Sequence, residues 1–144
     1  MPRINIDIPA HLPFFTTMAV RIGDVNYGGH LGNDAVLSIA HEARVRFLAS
    51  MGYTEHDIEG VSIIMSDAAV VYRGEAHYGD ELEIGVGAGN FSGSGFDLLY
   101  RVTREADGKE IALVKTGIVF FDYVKKKPQR VPARFRERFE AGKE

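Results

Sequence analysis

The sequence predicts an α+β fold in which one long central helix is wrapped by a curved antiparallel sheet of five or six strands. The first observation is a single long stretch, about residues 33–51, in which apolar residues recur at helical spacing. The second is a change of period after this stretch, where short segments alternate apolar and polar residues as strands do. Because we find no repeat, low-complexity tract or linker, residues 1–144 are expected to form one domain.

The first strand and the helix are joined by a glycine-rich loop. Residues 14–22 are expected to form the strand. Asn33 is the predicted N-cap of the helix, and Gly52 is its predicted stop. The apolar stripe of the helix, with the residues that widen it, comprises Val36, Leu37, Ile39, Ala40, Ala43, Phe47, Leu48 and Met51.

Four strands are expected to follow the helix in a meander. They are predicted at residues 61–73, 82–88, 96–102 and 111–123, with a short helix at 133–140. The strand at 61–73 is apolar on both faces, which predicts cover on both sides. One sheet face packs on the helix, and the other face and the edges need a cover in so small a protein. We therefore expect a homodimer or a homotetramer.

Bulk composition excludes several classes of protein. A hydrophobic content of 45% is sufficient for a core, and the absence of cysteine excludes disulfides, thiolate metal sites and a cysteine nucleophile. No apolar run approaches the ~20 residues of a membrane span, and the N-terminus lacks the apolar stretch of a secretory signal. We expect a cytoplasmic protein without a membrane partner.

The net charge of −3 is unevenly distributed along the chain. From Lys125 onward there are eight basic and three acidic residues. This segment is either a solvated helical face or a patch for nucleotide phosphates or an acidic protein. No recognisable module interleaves basic and aromatic residues, so no nucleic-acid partner is expected.

Several catalytic motifs are absent from the sequence. Ser92 and Ser94 lack the preceding glycine of a G-x-S-x-G elbow, and no H-E-x-x-H or phosphate-binding motif occurs. The five histidines are scattered, so no metal site is expected. Covalent serine chemistry and metal-dependent hydrolysis therefore lose support.

The loop before the helix, residues 23–33, concentrates polar side chains at a helix N-terminus. It contains a carboxylate, an imidazole and two carboxamides. A helix N-terminus presents unpaired amides and the positive end of the helix dipole, which can stabilise an oxyanion. The alternative interpretation is an ordinary turn with an Asx cap.

Four segments together resemble one family. The loop at 23–33 is followed by Glu-Ala-Arg at 42–44, then by Tyr-Arg-Gly-Glu-Ala-His-Tyr-Gly-Asp-Glu-Leu at 72–82 and Lys-Lys-Lys-Pro-Gln-Arg-Val-Pro at 125–132. In this order they resemble the 4-hydroxybenzoyl-CoA thioesterase-like branch of the hotdog-fold superfamily. The resemblance implies the hotdog fold and a dimer or tetramer with active sites at the subunit interface. It also implies hydrolysis of an acyl-CoA or acyl-carrier-protein thioester without metal or cofactor, with coenzyme A entering only as part of the substrate.

The loop departs from that family at one position. Many members have an aspartate, acting as base or nucleophile, where this chain has Asn26. A carboxamide cannot take a proton at neutral pH, but it can hold water or the acyl carbonyl. The loop also resembles that of plant acyl-carrier-protein thioesterases, which implies that Asp24, Asn26 and His30 form the polar set.

Our hypothesis assigns roles to these residues. His30 or a carboxylate activates water, Asn26 positions it, and amides near Asn33 hold the oxyanion. Gly29 and Gly32 let the backbone approach the substrate closely.

Three other acidic residues each have a functional and a structural interpretation. Glu42 matches the helix glutamate of the family and is a candidate catalytic residue, although an ion pair with Arg46 explains it equally well. Asp67 interrupts an apolar run and is a candidate substrate-binding residue, unless it lies at an exposed strand end. Glu75 follows Tyr72 and Arg73 as a glutamate does in the plant enzymes, but its place beside a turn predicts a solvated side chain.

Two other functions remain open. An (R)-specific enoyl-CoA hydratase, also a hotdog protein, has a similar Gly-Asp-x-Asn loop. In that loop a proline follows the asparagine, where this chain has Tyr27, and the histidine lies one residue earlier than His30 does here. A non-catalytic acyl-CoA-binding protein is consistent with Asn26 replacing the usual aspartate.

Overall fold

The computed structural model describes residues 3–140 and confirms the α+β hotdog arrangement. One long helix, α1, packs on one face of a six-stranded antiparallel sheet. The elements in chain order are β1 Phe14–Ala19, a 3-10 turn Ile22–Asp24, α1 Asn33–Ser50, β2 Ser62–Tyr72, β3 Glu81–Gly89, β4 Gly95–Arg104, β5 Glu110–Asp122, β6 Lys127–Pro128 and α2 Ala133–Glu140. Within the described residues, no helix is long and apolar enough to cross a membrane.

The strand order corrects one expectation. The sheet runs β1-β3-β4-β5-β2, and β6 pairs with the end of β5. The meander is confirmed for β3, β4 and β5, but it is wrong for β2, which pairs with β5 rather than β3. The reason is that α1 lies between β1 and β2 in sequence and crosses the sheet face, so the chain leaves one edge and returns at the other. Periodicity identifies strands but not their partners.

The apolar stripe of α1 is buried against the sheet. The buried apolar helix residues are Ala35, Val36, Ile39, Ala40, Ala43, Phe47 and Leu48. Leu37, predicted to widen the stripe, is instead 38% exposed because it faces the β2 edge. On the opposite sheet face the N-terminal segment covers a small cluster, where Ile6 packs with Leu99 and Leu113.

Only the N-terminal end of α1 differs from the prediction. The N-cap is Gly32, which has no side chain to accept a hydrogen bond, and Asn33 is the first helical residue. The predicted Asn33 cap is therefore wrong. At the other end Met51 is the C-cap and Gly52 adopts φ +82°, the left-handed conformation of a helix stop, as predicted.

Strand β2 is an edge strand rather than a covered one. Its outer side has no neighbouring strand among residues 3–140, and Met65 and Tyr72 are each 49% exposed. Cover on both faces is partial within a single chain, since Ile63 packs in the α1-side core while Ala69 and Val71 pack under the N-terminal segment. An apolar edge of this length is a surface that proteins normally protect by pairing.

A buried polar network fixes α1 to the loop that follows it. Arg44, only 7% exposed, donates from Nε to Glu55 Oε2 at 2.7 Å, and its Nη1 lies 3.5 Å from the Tyr100 hydroxyl. His41 Nε2 lies 3.0 Å from Glu55 Oε1. Tyr100 OH and Thr116 Oγ1 share a hydrogen bond at 2.9 Å. Since an unpaired buried charge is costly, removing either partner of the Arg44–Glu55 pair is expected to destabilise the fold.

This network predicts a pH dependence of stability. Burial acts to raise the pKa of Glu55, but hydrogen bonds from His41 and Arg44 outweigh burial and lower this pKa below its ordinary value of 4.5. A lowered carboxyl pKa contributes stability that is present above the ordinary value and is lost as the pH falls through the folded-state pKa. Thermal unfolding of wild type and Glu55→Gln should therefore differ most near neutrality and converge as the pH falls below 4.5. Glu105→Gln, at an exposed glutamate, is the control. A constant difference between wild type and Glu55→Gln at every pH would contradict the account.

Candidate active site

The loop between β1 and α1 is closed by its own backbone. The Asn26 amide donates to the carbonyl oxygen of His30 at 2.9 Å, and the Gly32 amide donates to the carbonyl oxygen of Asp24 at 2.9 Å. These bonds fold residues 24–32 into a compact turn that ends where α1 begins. The polar side chains of the loop are consequently held on one short stretch of rigid backbone.

A second segment, between β2 and β3, is bonded to this loop. The Leu31 amide donates to the carbonyl oxygen of the fully buried Ala76 at 2.7 Å, and Arg104 Nη1 donates to the carbonyl oxygen of Glu75 at 2.7 Å. Glu75 is thereby placed beside the loop, with Oε1 4.0 Å from His30 Nε2. The Glu75 and His30 side chains are 67% and 36% exposed respectively, so a small rotamer change can close this gap.

The N-terminus of α1 presents amides without partners. Gly32 caps the helix without a side chain, and the Ala35 amide donates to the Gly32 carbonyl oxygen at 3.1 Å. Within residues 3–140, the amides of Asn33 and Asp34 have no acceptor. Tyr72, at the end of β2, donates its hydroxyl to the carbonyl oxygen of Asn33 at 3.0 Å. The unpaired amides therefore lie next to the open edge of the sheet.

Asn26 lies against the start of the helix. Its Oδ1 accepts a hydrogen bond from the Gly28 amide at 2.9 Å, which leaves the side-chain NH2 group exposed and without an acceptor in the described chain. A Cβ built on Gly32 would lie 3.8 Å from the Asn26 Cβ. Gly29 has φ +87°, a conformation that L side chains rarely adopt. Asn26, Gly29, His30, Gly32 and Asn33 thus lie in one short segment that ends at the first residue of α1, and their proposed roles stay predictions.

Asp24 and Glu42 lie on the other flank of α1. They share a cleft of about 340 Å³ on the β1 side, which Asn26 and His30 do not line. The Asp24 carboxylate accepts a hydrogen bond from the Arg21 amide at 2.9 Å, and Glu42 Oε2 accepts one from Arg46 Nε at 2.9 Å. Both carboxylates are therefore already paired, and their catalytic roles stay predictions.

Asp67 is not brought to the loop. It shares a sheet face with Ala69 and Val71, which pack under the N-terminal segment on the side away from α1. Lys115 Nζ donates to Asp67 Oδ1 at 2.8 Å, and this hydrogen bond lowers the pKa of Asp67. The carboxylate is 62% exposed at an irregularity in the middle of the edge strand β2, and not at a strand end as the alternative from the sequence supposed.

The arrangement supplies three chemical functions at one place. His30 offers a nitrogen base with Glu75 beside it, Asn26 offers an amide donor, and the first turn of α1 offers backbone amides for a developing negative charge. Among residues 3–140, no group of three or more potential metal ligands occurs.

Glu75 and Tyr72 are the site residues that sequence reasoning undervalued. Glu75 is exposed, as expected beside a turn, but the pairing of Leu31 with Ala76 brings it to His30. The sequence contained one indication, which was the match of Glu75 to a glutamate of the plant enzymes. Nothing in the spacing indicated the contact of Tyr72 with the helix start.

A family model described as "Thioesterase-like superfamily" matches residues 20–139. This range includes the whole loop, α1 and all strands after β1. No curated protein sequence matches the chain.

Solved structures share the fold. A 1,4-dihydroxy-2-naphthoyl-CoA thioesterase from Synechocystis has a TM-score of 0.81 at 19% identity, covering 91% of this chain and 98% of that one. A gentisyl-coenzyme A thioesterase has a TM-score of 0.75 at 17% identity, covering 85% and 99%. A thioesterase from Thermus thermophilus, complexed with coenzyme A and Zn, has a TM-score of 0.77 at 25% identity, covering 90% and 98%.

The loop geometry predicts different effects for two glycine substitutions. Gly29→Ala places a Cβ at φ +87°, which costs about 1–2 kcal/mol and should lower Tm by several degrees. Gly23→Ala, in the same loop, has no positive φ and no atom within 4 Å of the new Cβ, so its Tm should stay close to wild type. Differential scanning calorimetry measures both. Equal Tm values for the two variants would show that the loop conformation is wrong.

Proposed function

The chain belongs to the thioesterase-like superfamily, and from this premise we propose that it hydrolyses acyl thioesters at the N-terminus of α1. The observation that carries the proposal is the pair of unpartnered amides at Asn33 and Asp34 beside the His30–Glu75 pair. A base next to preorganised donors is what acyl transfer to water requires.

The proposed reaction uses His30 as general base. His30 takes a proton from water as the water oxygen attacks the thioester carbonyl carbon, and the carbonyl oxygen becomes an oxyanion held by the amides of Asn33 and Asp34. When the oxyanion collapses, the C–S bond breaks and the proton on His30 passes to the sulfur. Glu75 stabilises the protonated imidazole, and Asn26 orients the water through its free NH2 group. The products are a free acid and a thiol.

The proposed substrate is a thioester of coenzyme A or of an acyl carrier protein. Three of the structural neighbours act on or bind coenzyme A thioesters or coenzyme A by their names, which supports this class for the present chain. The exposed lysines at 125–127, on the turn before β6 and at its first residue, supply positive charge for phosphate groups. No metal or bound cofactor takes part in the proposed reaction.

We also propose that the protein works as a homodimer joined at β2. The exposed apolar side chains Leu37, Met65 and Tyr72 lie along this edge. Because Tyr72 also contacts the first residue of α1, pairing at β2 places the second subunit beside the proposed site. The partner then shields the thioester from bulk solvent.

Two substitutions test the assignment of the base. His30→Ala should lower kcat by about 10²–10⁴-fold in an assay of free-thiol release from acyl-CoA. Glu75→Gln should cause a smaller loss, and the double variant should lose little more than His30→Ala because Glu75 acts through His30.

The matched control is His77→Ala, at an exposed histidine that lies outside the loop contact. If His30→Ala keeps the wild-type rate, His30 is not the general base. Additive losses in the double variant would remove the coupling of Glu75 to His30. Loss of an enoyl chromophore without thiol release would favour the hydratase.

A charge on the β2 edge tests the dimer. Met65→Arg should convert the protein to monomers, measured by light scattering after size-exclusion chromatography, because a charged edge cannot pair with its copy. Val124→Arg is the control, since Val124 is 92% exposed on the turn before β6. A monomeric wild type, or a Met65→Arg variant that remains dimeric, would refute pairing at β2.

A further inference from the structure

A shallow depression lies on the β2 side of α1, outside the group of residues assigned to the reaction. Its volume is about 170 Å³. For comparison, an apolar protein cavity of about 150 Å³ holds one benzene molecule. We call it the helix-flank depression, and its lining residues are Leu37, Ser38, His41, Arg44, Met65 and Thr116.

The depression begins close to the proposed site and runs along the helix. With a rise of about 1.5 Å per residue, Leu37 lies about 6 Å and His41 about 12 Å along the axis from Asn33. Met65 is on β2, the strand whose last residue, Tyr72, contacts the Asn33 carbonyl. An acyl group whose carbonyl carbon sits at the helix N-terminus, and whose chain follows this flank, therefore ends in the depression.

The exposed rim and the buried inner end of the depression differ in polarity. Leu37 and Met65, 38% and 49% exposed in the single chain, form an apolar rim at the β2 edge, where the second subunit is proposed to pair. The inner end is polar, since Arg44 and Thr116 are 7% and 1% exposed. A purely hydrocarbon chain would leave these buried polar groups facing apolar atoms, which is unfavourable.

Arg44 has hydrogen-bond donors to spare. Of the five N–H groups of a guanidinium, one donates to Glu55 and one faces Tyr100. The other three have no acceptor within residues 3–140, and because no buried side-chain nitrogen is left unpaired there, Nη2 is open to the depression and not sealed in the core. Tyr100 and Thr116 are bonded to each other, which holds both hydroxyls in place at the inner end.

The local charge favours a neutral oxygen over a carboxylate. Glu55 lies 2.7 Å from Arg44 Nε and already neutralises it, and the lowered pKa of Glu55 keeps this carboxylate charged near neutrality. The remaining titratable group at the depression, His41, also faces Glu55 at 3.0 Å. A second carboxylate would be repelled by Glu55, whereas a hydroxyl or carbonyl oxygen can accept from Arg44 without that penalty.

We propose that Arg44, with Thr116 and His41, is a specificity-determining group that selects acyl chains carrying a neutral oxygen at their far end. The inference rests on the proposed function, because it takes the thioester carbonyl to lie at the start of α1. The selected class is a medium-length acyl group ending in a hydroxyl or carbonyl, in preference to a plain alkyl chain or an ω-carboxylate.

Binding of three non-hydrolysable analogues tests this selection. In 2-oxododecyl-CoA a methylene separates the sulfur from the carbonyl, and the chain beyond the carbonyl is long enough to follow the helix flank as far as His41. The companion compounds carry a hydroxyl or a carboxylate on the terminal carbon. Isothermal calorimetry on the wild-type protein should give a Kd about tenfold lower for the hydroxyl compound than for the alkyl compound. The carboxylate compound should bind no better than the alkyl compound.

Variants assign the preference to the named residues. Arg44→Lys keeps the positive charge beside Glu55 but loses the spare guanidinium donors, and Thr116→Val removes one hydroxyl at nearly constant volume. Each should reduce the preference to about twofold or less, while His56→Leu, at an exposed histidine outside the depression, should leave it at about tenfold. If a variant fails to fold, the order of affinities measured on the wild-type protein still tests the inference.

The outcomes separate this inference from the proposed function. Equal affinities for the alkyl and hydroxyl compounds, tighter binding of the carboxylate, or binding of none of the three would overturn the inference. An unchanged preference in folded Arg44→Lys would also overturn it. If acyl-CoA is hydrolysed but the alkyl and hydroxyl compounds bind equally, the proposed function holds and the selection of the acyl group does not. If the predicted affinity order is found without turnover, the selection holds and the proposed function does not.

Discussion

The N-cap of helix α1 is Gly32, which has no side chain to accept from the first-turn amides, and the remaining features of the site follow from that terminus. Two amides at the start of the helix lack acceptors in the described chain, in a position where most helices use a serine, threonine or aspartate. A glycine N-cap leaves these amides without a side-chain acceptor, so another group is free to accept from them. A developing oxyanion is such an acceptor, and the dipole of the helix adds to its stabilisation. The helix therefore lacks a side-chain cap, and in the proposed mechanism the same amides bind the oxyanion.

The sheet places that terminus and its neighbours. Because α1 crosses the sheet from the β1 edge, its start lies next to the end of β2, where Tyr72 bonds to Asn33. The connection from β2 to β3 then passes the loop, and the bond from Leu31 to Ala76 brings Glu75 to His30. Arg44 secures the middle of the same helix flank through Glu55. The proposed chemistry and the proposed selection of the acyl group therefore share one side of one helix.

Local patterns in the sequence predicted the elements well. The bounds of α1 and α2 and the left-handed Gly52 depend on neighbours a few residues apart, which periodicity and turn chemistry report. The errors concern contacts between distant segments. The partner of β2, which was predicted wrongly, and the approach of Glu75 to His30 are decided by how distant segments pair, and no spacing encodes that. The prediction of Asn33 as the N-cap was wrong for a different reason. Gly32, one residue earlier, adopts the extended backbone conformation of an N-cap.

The most direct test of the central claim is a crystal structure of the protein with 2-oxododecyl-CoA bound. The account predicts that the carbonyl oxygen of the analogue lies about 2.7–3.1 Å from the amides of Asn33 and Asp34, with His30 within reach of the carbonyl carbon through one water. A carbonyl located instead in the cleft between Asp24 and Glu42, or near the far end of α1, would contradict the account.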